Sequence, residues 1–250
     1  DYNIISRIGS ELKPGMIWVS SGATEIGRLD YIKRNGHELD GSMDEIKTDY
    51  AAQGQAILME NYRRYVPEKY SLRQLLVEHQ HFNDAEKREH IKQVLLRCAE
   101  QNAIPIVNYN DPVSVDENRR MEIAALRDSN EDVVECVDND ETAAVITGLV
   151  KARKLVIMSS VEGIYRDPKD PSTLVRDVFE STPELLRERI VKLQESCVGA
   201  SRQLASGARA KLEYAMRPAL EGTTVIIGHA RHRLSELAEC KVPCTVSGLK

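Results

Sequence analysis

Four short apolar runs divide this 250-residue sequence, and each ends in small or polar residues. Runs of this length, rich in β-branched residues and flanked by turn formers, are typical of buried strands. Long helical patterns separate them, so the sequence predicts βαβ crossovers and an α/β fold with a mainly parallel sheet. The predicted strands are Met16–Val19, Ile104–Val107, Leu155–Met158 and Thr224–Ile227.

The segments between these strands carry helix signals. The clearest is Asp84–Glu100, which opens on an acidic N-cap and repeats apolar residues on one face. The polar segment between Val113 and Val137 is predicted to form a hairpin or flap. The other predicted helices are Asp44–Tyr65, Glu141–Ala152 and Ala210–Leu220.

Composition excludes several classes of partner. The formal net charge of −5 provides no basic field of the kind that nucleic-acid binding usually needs. No apolar run approaches the ~18 residues of a membrane span, and no signal peptide is recognisable. Five irregularly spaced cysteines argue against a disulfide framework and fit a reducing compartment. We therefore expect a cytoplasmic protein without nucleic-acid or membrane partners.

Metal binding through side-chain clusters is not predicted. The histidine pairs His79/His81 and His229/His232 lack convergent partners in the sequence, and Cys240 with Cys244 is too isolated for a four-ligand zinc site.

The first strand leads into a glycine-containing turn, VSSGATEIGR, from Val19 to Arg28. Gly22 and Gly27 have the spacing of a P-loop, but that motif continues with Lys and then Ser or Thr. Arg28 and Leu29 stand in those places, and leucine cannot ligate a metal. The P-loop interpretation therefore fails.

All four strand exits are small or polar: SSGA, NYND, SSVEG and GHA. Ligands of open α/β sheets bind outside the carboxyl ends of the strands, so these exits are candidate binding positions. Ordinary strand-to-helix turns would explain any single one of them.

Two polar clusters, Asn108–Asp111 and Asp138–Asp140, offer amide and carboxylate oxygens. Such groups can hold the ammonium of an amino acid, and a carboxylate can orient a lysine or a metal-bound phosphate. Capping of a helix that starts near Glu141 is the alternative for the second cluster. Both roles are compatible, because a helix N-terminus is itself an anion site.

Two further segments are candidates for a phosphate-bearing ligand. Ala205–Lys211 is predicted to be a small-residue loop that opens a helix, with Lys211 near the first turn, where the helix dipole favours phosphate. A solvated helix start is the alternative. Ser159–Tyr165, followed by the loop from Asp167 to Pro171, indicates only the edge of a site.

The order of these pieces resembles the motif series of the amino acid kinase family. The matching segments, from about Met16 to Gly228, are VSSGA, IPIVNYNDPVS, DNDETAA, LVIMSSVEGIYRDPKDP and SGARAKL. The resemblance implies a three-layer α/β sandwich forming a single domain, with an acceptor lobe at 1–150 and a nucleotide lobe at 151–250. It also implies a homo-oligomer that uses ATP and Mg²⁺.

Site residues follow from the resemblance position by position. Ser21, Gly22, Ala23, Asp111 and Asn139 match acceptor-binding positions, with Asn108 nearby. Asp140 matches the aspartate that arranges the catalytic lysines, and Lys211 matches a catalytic lysine. The nucleotide positions matched are Ser159, Ser160, Ala205, Ser206, Gly207, Ala208, Arg209, Ala210 and Lys211. Arg28 has no role and is expected to be a surface or helix residue.

The activity implied is transfer of the γ-phosphoryl group of ATP to the side-chain carboxylate of glutamate or a close analogue, the first step of proline biosynthesis. A side-chain carboxylate is ionised at neutral pH, so no general base is needed. Ser159-Ser160 stands where the family has Thr-Asp, and Ser206-Gly207-Ala208 where it has Gly-Gly-Met. These departures leave two alternatives open: another small acceptor, such as a phosphonate or phosphate monoester, or an inactive nucleotide or amino-acid sensor.

The family's first strand carries a lysine and a Gly-Ser turn, which Arg7-Ile8-Gly9-Ser10 superficially resembles. That stretch lies too close to VSSGA for a crossover helix. Ile4, Ile8 and Leu12 instead have helical spacing, so we expect a helix here and no counterpart of the first strand. A C-terminal RNA-modification-type domain is likewise not expected.

Overall fold

The structure, a computed structural model, describes residues 2–114, 116–128, 133–136, 138–167, 169–196 and 202–250. The side chains of 2, 116, 117 and 202–206 lie outside this description. The chain divides into a first unit, Asp1–Asn139, and a second unit, Asp140–Lys250.

The first unit is built on a three-stranded parallel sheet. Its strands are β1 (Trp18–Val19), β2 (Ser71–Val77) and β3 (Ala103–Tyr109), in the order β1-β3-β2. All seven residues of β3, the central strand, are buried, so both faces of the sheet are covered at this strand. The helices are α1 (Tyr2–Glu11), α2 (Ala23–Asn35), α3 (Met43–Tyr65), α4 (His79–Asn83), α5 (Ala85–Glu100) and α6 (Asp116–Arg127).

Side-chain caps fix the starts of two of these helices. The Ser42 side chain accepts the backbone N–H of Glu45 while the Glu45 carboxylate accepts that of Ser42, a capping box at the start of α3. Asp84 accepts the backbone N–H of Lys87 at 2.8 Å, which confirms it as the predicted cap of α5.

The second unit contains a four-stranded sheet and a small hairpin. The sheet has β4 (Lys154–Ser159), β7 (Asp177–Glu180), β8 (Thr224–His229) and β9 (Cys244–Leu249) in the order β4-β8-β9-β7, with only the central β8/β9 pair antiparallel. The hairpin pairs β5 (Ile164–Tyr165) with β6 (Leu174–Val175). The helices are α7 (Asn139–Val150), which belongs to this unit from Asp140 onward, α8 (Pro183–Ser196), α9 (Arg202–Leu220) and α10 (Leu234–Ala238).

The apolar core of the second unit lies between its sheet and two helices. Ile157 and Ile227 of the sheet pack in one buried cluster with Ile190 of α8 and Leu212 of α9. Burying the apolar stripe of each helix against the sheet stabilises the pair of layers, since exposed apolar surface is unfavourable in water.

The α/β class with mainly parallel strands is confirmed. All four predicted strands are present, and the helical spacing of Ile4, Ile8 and Leu12 is confirmed by α1. Within the described residues the strands form three separate sheets: β1-β3-β2, β4-β8-β9-β7 and the hairpin β5-β6. Within the described part of the chain, every helix is too short or too polar to cross a bilayer.

Two local predictions are wrong. The segment after Val113, predicted as a hairpin or flap, contains helix α6 and no hairpin among its described residues, because Met121–Arg127 is rich in helix formers and Ile123 gives it a buried contact. Helix α9 begins at Arg202, so Ala205–Lys211 is not a loop that opens a helix. A single Gly207 among alanines and long side chains costs only about 1 kcal/mol of helix propensity, too little to break it.

Two glycines allow α2 and α3 to cross at backbone contact. A Cβ added at Gly54 would lie 1.8 Å from the carbonyl oxygen of Ala23, and one added at Gly27 would lie 1.9 Å from that of Tyr50. Neither backbone oxygen can move independently of its helix. The crossing therefore fixes the start of α2 against the middle of α3.

We expect Gly54→Ala to destabilise the protein by about 3 kcal/mol, the upper part of the range for overpacking, because backbone atoms must separate. Gly148→Ala is the control: it lies inside α7, and its Cβ would meet only the flexible Glu221 carboxylate, at 3.2 Å. That variant should be neutral or slightly stabilised through helix propensity. Denaturant unfolding measures both, and equal midpoints would contradict the tight crossing.

Candidate active site

A buried tyrosine holds the exit of β1 by hydrogen bonds. The Tyr62 hydroxyl on α3 accepts the indole N–H of Trp18 at 2.6 Å and shares a 2.8 Å hydrogen bond with the Ser20 hydroxyl. The Ser20 backbone N–H also donates to the carbonyl of Val107 on β3 at 2.8 Å. Burial raises the pKa of Tyr62, so its hydroxyl stays protonated at neutral pH.

Ser21, Gly22 and Ala23 form the turn from β1 into α2. Gly22 has φ 94°, a left-handed conformation that glycine adopts without strain, and it is the N-cap of α2. Ser21 and Gly22 are exposed, whereas Ala23 is buried in the helix crossing. The first N–H groups of α2 have no partner within the helix and can donate to an anion.

Arg28 is a surface residue of α2, as predicted. Its guanidinium is paired with Glu25 at 2.8 Å and with Glu38 at 2.6 Å. A cation neutralised by two carboxylates is a poor phosphate ligand, in agreement with the rejected P-loop interpretation.

Asn108 and Asp111 lie at the exit of β3. Asn108 is 3% exposed, and its Nδ2 donates to Gln55 Oε1 on α3 at 2.8 Å. Asp111 opens a short 3-10 turn, Asp111–Val113, and its carboxylate is 4.0 Å from Lys47 Nζ. Neighbouring Asn110 donates to Glu78 Oε1 at 2.8 Å, which ties this exit to that of β2.

The structure brings two of the predicted acceptor segments together. Strands β1 and β3 are parallel neighbours, with Trp18 opposite Ile106 and Val19 opposite Val107. Their carboxyl ends therefore meet at one edge of the sheet, where Ser21–Ala23 and Asn108–Asp111 both emerge.

Asn139 is the first residue of α7, and its side-chain Oδ1 is buried. Among the described residues this oxygen has no hydrogen-bond partner. A buried oxygen that accepts no hydrogen bond is unfavourable unless a ligand or water supplies a donor. An ammonium group would satisfy it, so the predicted acceptor-binding role of Asn139 stays a prediction that its chemistry fits.

Asp140 and Lys211 form an ion pair in the second unit. The Lys211 ammonium on α9 donates to the Asp140 carboxylate in the first turn of α7. The two side chains are 19% and 29% exposed, so the pair is partly shielded from water. The two predicted catalytic residues, 71 positions apart in sequence, are therefore in contact.

The residue in position to cap α7 is Asp138 and not Asp140. Helix α7 begins at Asn139, two residues earlier than predicted, so Asp140 lies inside the first turn and Asp138 precedes the helix. Asp140 still interacts favourably with the helix dipole, by about 0.3–1 kcal/mol at exposed positions.

The predicted nucleotide pair Ser159-Ser160 lies at the exit of β4, beside the exit of β8. Ser159 pairs with His229, and the Ala230 backbone N–H donates to the Ser159 carbonyl at 2.8 Å. Beyond this pair, Glu162 accepts from Arg231 and from His232 Nε2, the latter at 2.6 Å. Tyr165 lies in β5, and Pro168 of the following loop lies outside the described residues.

The segment Ala205–Lys211 lies within α9. Space around Gly207 is open, since an added Cβ there would meet nothing within 4 Å. Arg209 is exposed, whereas Ala208, Ala210 and Lys211 are partly buried. The side chains of Ala205 and Ser206 lie outside the described residues, so their predicted nucleotide contacts stay predictions.

The donor set suits a magnesium nucleotide better than a protein-only metal cage. No three His, Cys, Asp or Glu side chains converge as metal ligands within the described part of the chain. Mg²⁺ usually takes one or two carboxylates together with substrate phosphates, so a single carboxylate such as that of Asp140 fits a Mg²⁺ carried by a nucleotide.

Comparison with known proteins assigns the family. The model of the amino acid kinase family matches residues 3–229. The chain belongs to the amino acid kinase family. The resemblance noted in the sequence is thereby confirmed over almost the whole chain.

The curated relatives include several enzymes named glutamate 5-kinase. Those of Shouchella clausii, Alkaliphilus metalliredigens and Laribacter hongkongensis are 31%, 30% and 30% identical over 87%, 78% and 96% of this chain. The matched regions make up 52%, 68% and 60% of those proteins, so the chain spans about half to two thirds of their length.

Among solved structures, uridylate kinase from Archaeoglobus fulgidus is similar at 15% identity, with a TM-score of 0.45 over 100% of this chain and 92% of that one. A similarity at this level supports no further argument.

Gln55, Tyr62 and Trp18 contact the exits but were missed by sequence reasoning. Gln55 and Tyr62 lie in a segment with many charged residues, which obscure its buried face. Trp18 lies in an apolar run and has no feature that distinguishes it from other strand residues. Gly54, directly before Gln55, could have indicated this contact, since a glycine inside a helix often marks a close backbone approach.

Proposed function

We propose that the protein transfers the γ-phosphoryl group of ATP to the side-chain carboxylate of L-glutamate. The observation that carries the proposal is the Asp140–Lys211 ion pair, in which a carboxylate holds a partly shielded ammonium. The chain belongs to the amino acid kinase family, and we propose that Lys211 is its phosphate-binding lysine. The names of the curated relatives support glutamate as the first acceptor to test.

Lys211 is proposed to neutralise the charge that develops on the transferring phosphoryl oxygens. Asp140 is the positioning residue, because its carboxylate holds the ammonium in place before reaction. Bound ATP and Mg²⁺ supply the phosphoryl group and additional charge neutralisation.

The acceptor residues are proposed to bind and orient glutamate. The Ser21 hydroxyl and the first N–H groups of α2 can donate to a carboxylate, and the Asn139 Oδ1 and Asp111 carboxylate can accept from an ammonium. Glutamate is already ionised at its side chain, so the work left to the protein is positioning and charge stabilisation.

A second candidate is a nucleotide or amino-acid sensor without catalysis. The helical conformation of the segment from Arg202 onward favours it, since helical residues beyond the first turn have no free backbone N–H groups for phosphate.

An acceptor panel separates these functions. ADP release is measured with the natural full-length protein, MgATP and glutamate, N-acetylglutamate or a simple phosphonate. We expect the highest kcat/KM with glutamate, because amide and carboxylate oxygens suit a free ammonium. A preference for either other acceptor would contradict the substrate assignment. Ligand-induced thermal stabilisation without ADP release from any of them would favour the sensor.

A further inference from the structure

Gln55 lies between two segments of the proposed acceptor site. Its side chain on α3 contacts Asn108, the penultimate residue of β3, and the preceding Gly54 packs against the Ala23 carbonyl at the start of α2. Gln55 is 7% exposed, so its amide is almost fully removed from solvent.

A chain of hydrogen bonds fixes which end of the Gln55 amide is free. The backbone N–H of Tyr109 can only donate, and it donates to Asn108 at 2.9 Å, so the group that it meets must be Oδ1. Asn108 therefore donates from Nδ2 to Gln55 at 2.8 Å. The Gln55 atom that accepts this hydrogen bond must be Oε1. The free end is the Nε2 amide, which is buried without a hydrogen-bond partner among the described residues.

A buried NH₂ group without an acceptor is strongly unfavourable, so such groups are normally paired. The protein places this donor, with its orientation locked through Asn108, beside the edge where the proposed acceptor enters. The N-terminus of α2 lies in the same unit and adds positive character to that edge.

We propose that Gln55 Nε2 donates a hydrogen bond to a carboxylate oxygen of the acceptor, and that Asn108 holds Gln55 in this orientation. The proposal rests on the proposed function for the identity of the acceptor. It makes Gln55 a substrate-binding residue and gives Asn108 a positioning role in addition to its predicted contact.

Gln55→Glu tests the donor directly. The variant keeps an oxygen for Asn108 Nδ2 but replaces the free NH₂ with a carboxylate oxygen that repels the acceptor. We expect the KM for glutamate to rise about 10–100-fold, the loss typical of a hydrogen bond to a charged group, with the KM for ATP within about threefold of wild type. Gln93→Glu, the same exchange on the exposed face of α5, is the matched control and should leave both constants unchanged. An unchanged KM for glutamate in Gln55→Glu would overturn the proposal.

A binding measurement keeps the proposal testable even if the variant fails to fold. In ¹⁵N-labelled wild-type protein, the Gln55 side-chain amide resonances are assigned by correlation to the backbone and followed during titration with glutamate and with succinate. We expect a shift with these carboxylates and none with ATP alone. No shift with either carboxylate would overturn the proposal. A shift in a protein that does not phosphorylate glutamate would support Gln55 as a carboxylate ligand while contradicting the proposed function.

Discussion

Replacing Lys211 by alanine is expected to lower kcat by about 10²–10³ while leaving the fold intact. The ammonium is a preorganised charge, held by Asp140 and partly shielded from water, and removal of one such group typically costs this much in rate. Because the pair is partly exposed, its loss should change thermal stability only slightly. Steady-state rates and thermal unfolding, measured on the same preparation, test both statements.

Lys192→Ala is the matched control for Lys211. It removes the same charge from an exposed position on α8 in the same unit, and its rate should be that of wild type. Near-normal turnover of Lys211→Ala would mean that the ion pair is only structural and that the phosphate-binding position lies elsewhere.

The second large effect is expected for Asp140→Asn, an almost isosteric change. Since α7 begins at Asn139, Asp140 does not occupy the N-cap, and the cost of losing its dipole interaction should stay near 1 kcal/mol or below. The change also removes the charge that holds Lys211, so kcat should fall by orders of magnitude.

Glu141→Gln separates these two contributions. It removes one negative charge from the same first turn of α7, so it loses a similar dipole interaction without touching the Lys211 pair. We expect Glu141→Gln to keep its activity and Asp140→Asn to lose it at equal stability. Equal activities in the two variants would reduce Asp140 to a residue that stabilises the helix.

Strong periodic signals made the framework predictable. The four apolar runs became β1, β3, β4 and β8, and Asp84 caps α5 as its position before an apolar face predicted. The exits of such strands share an edge by geometry alone, so the proximity of Ser21 and Asn108 followed from the topology.

Other features depend on contacts that a sequence does not encode locally. Gly207 suggested a loop, but one glycine does not interrupt a helix as long as α9. The polar segment after Val113 became α6 because Ile123 found a buried contact. The role of Gln55 required knowledge of which amide end meets Asn108, and only the structure supplies that.

Detection of the phosphorylated carboxylate itself tests the proposed phosphoryl transfer most directly. The natural full-length protein is incubated with MgATP, glutamate and hydroxylamine, which converts an acyl phosphate into a stable hydroxamate. We expect wild type to form γ-glutamyl hydroxamate in step with ADP, and Lys211→Ala to form it at a rate lower by about 10²–10³. ADP release without hydroxamate, or equal hydroxamate from both proteins, would contradict this expectation.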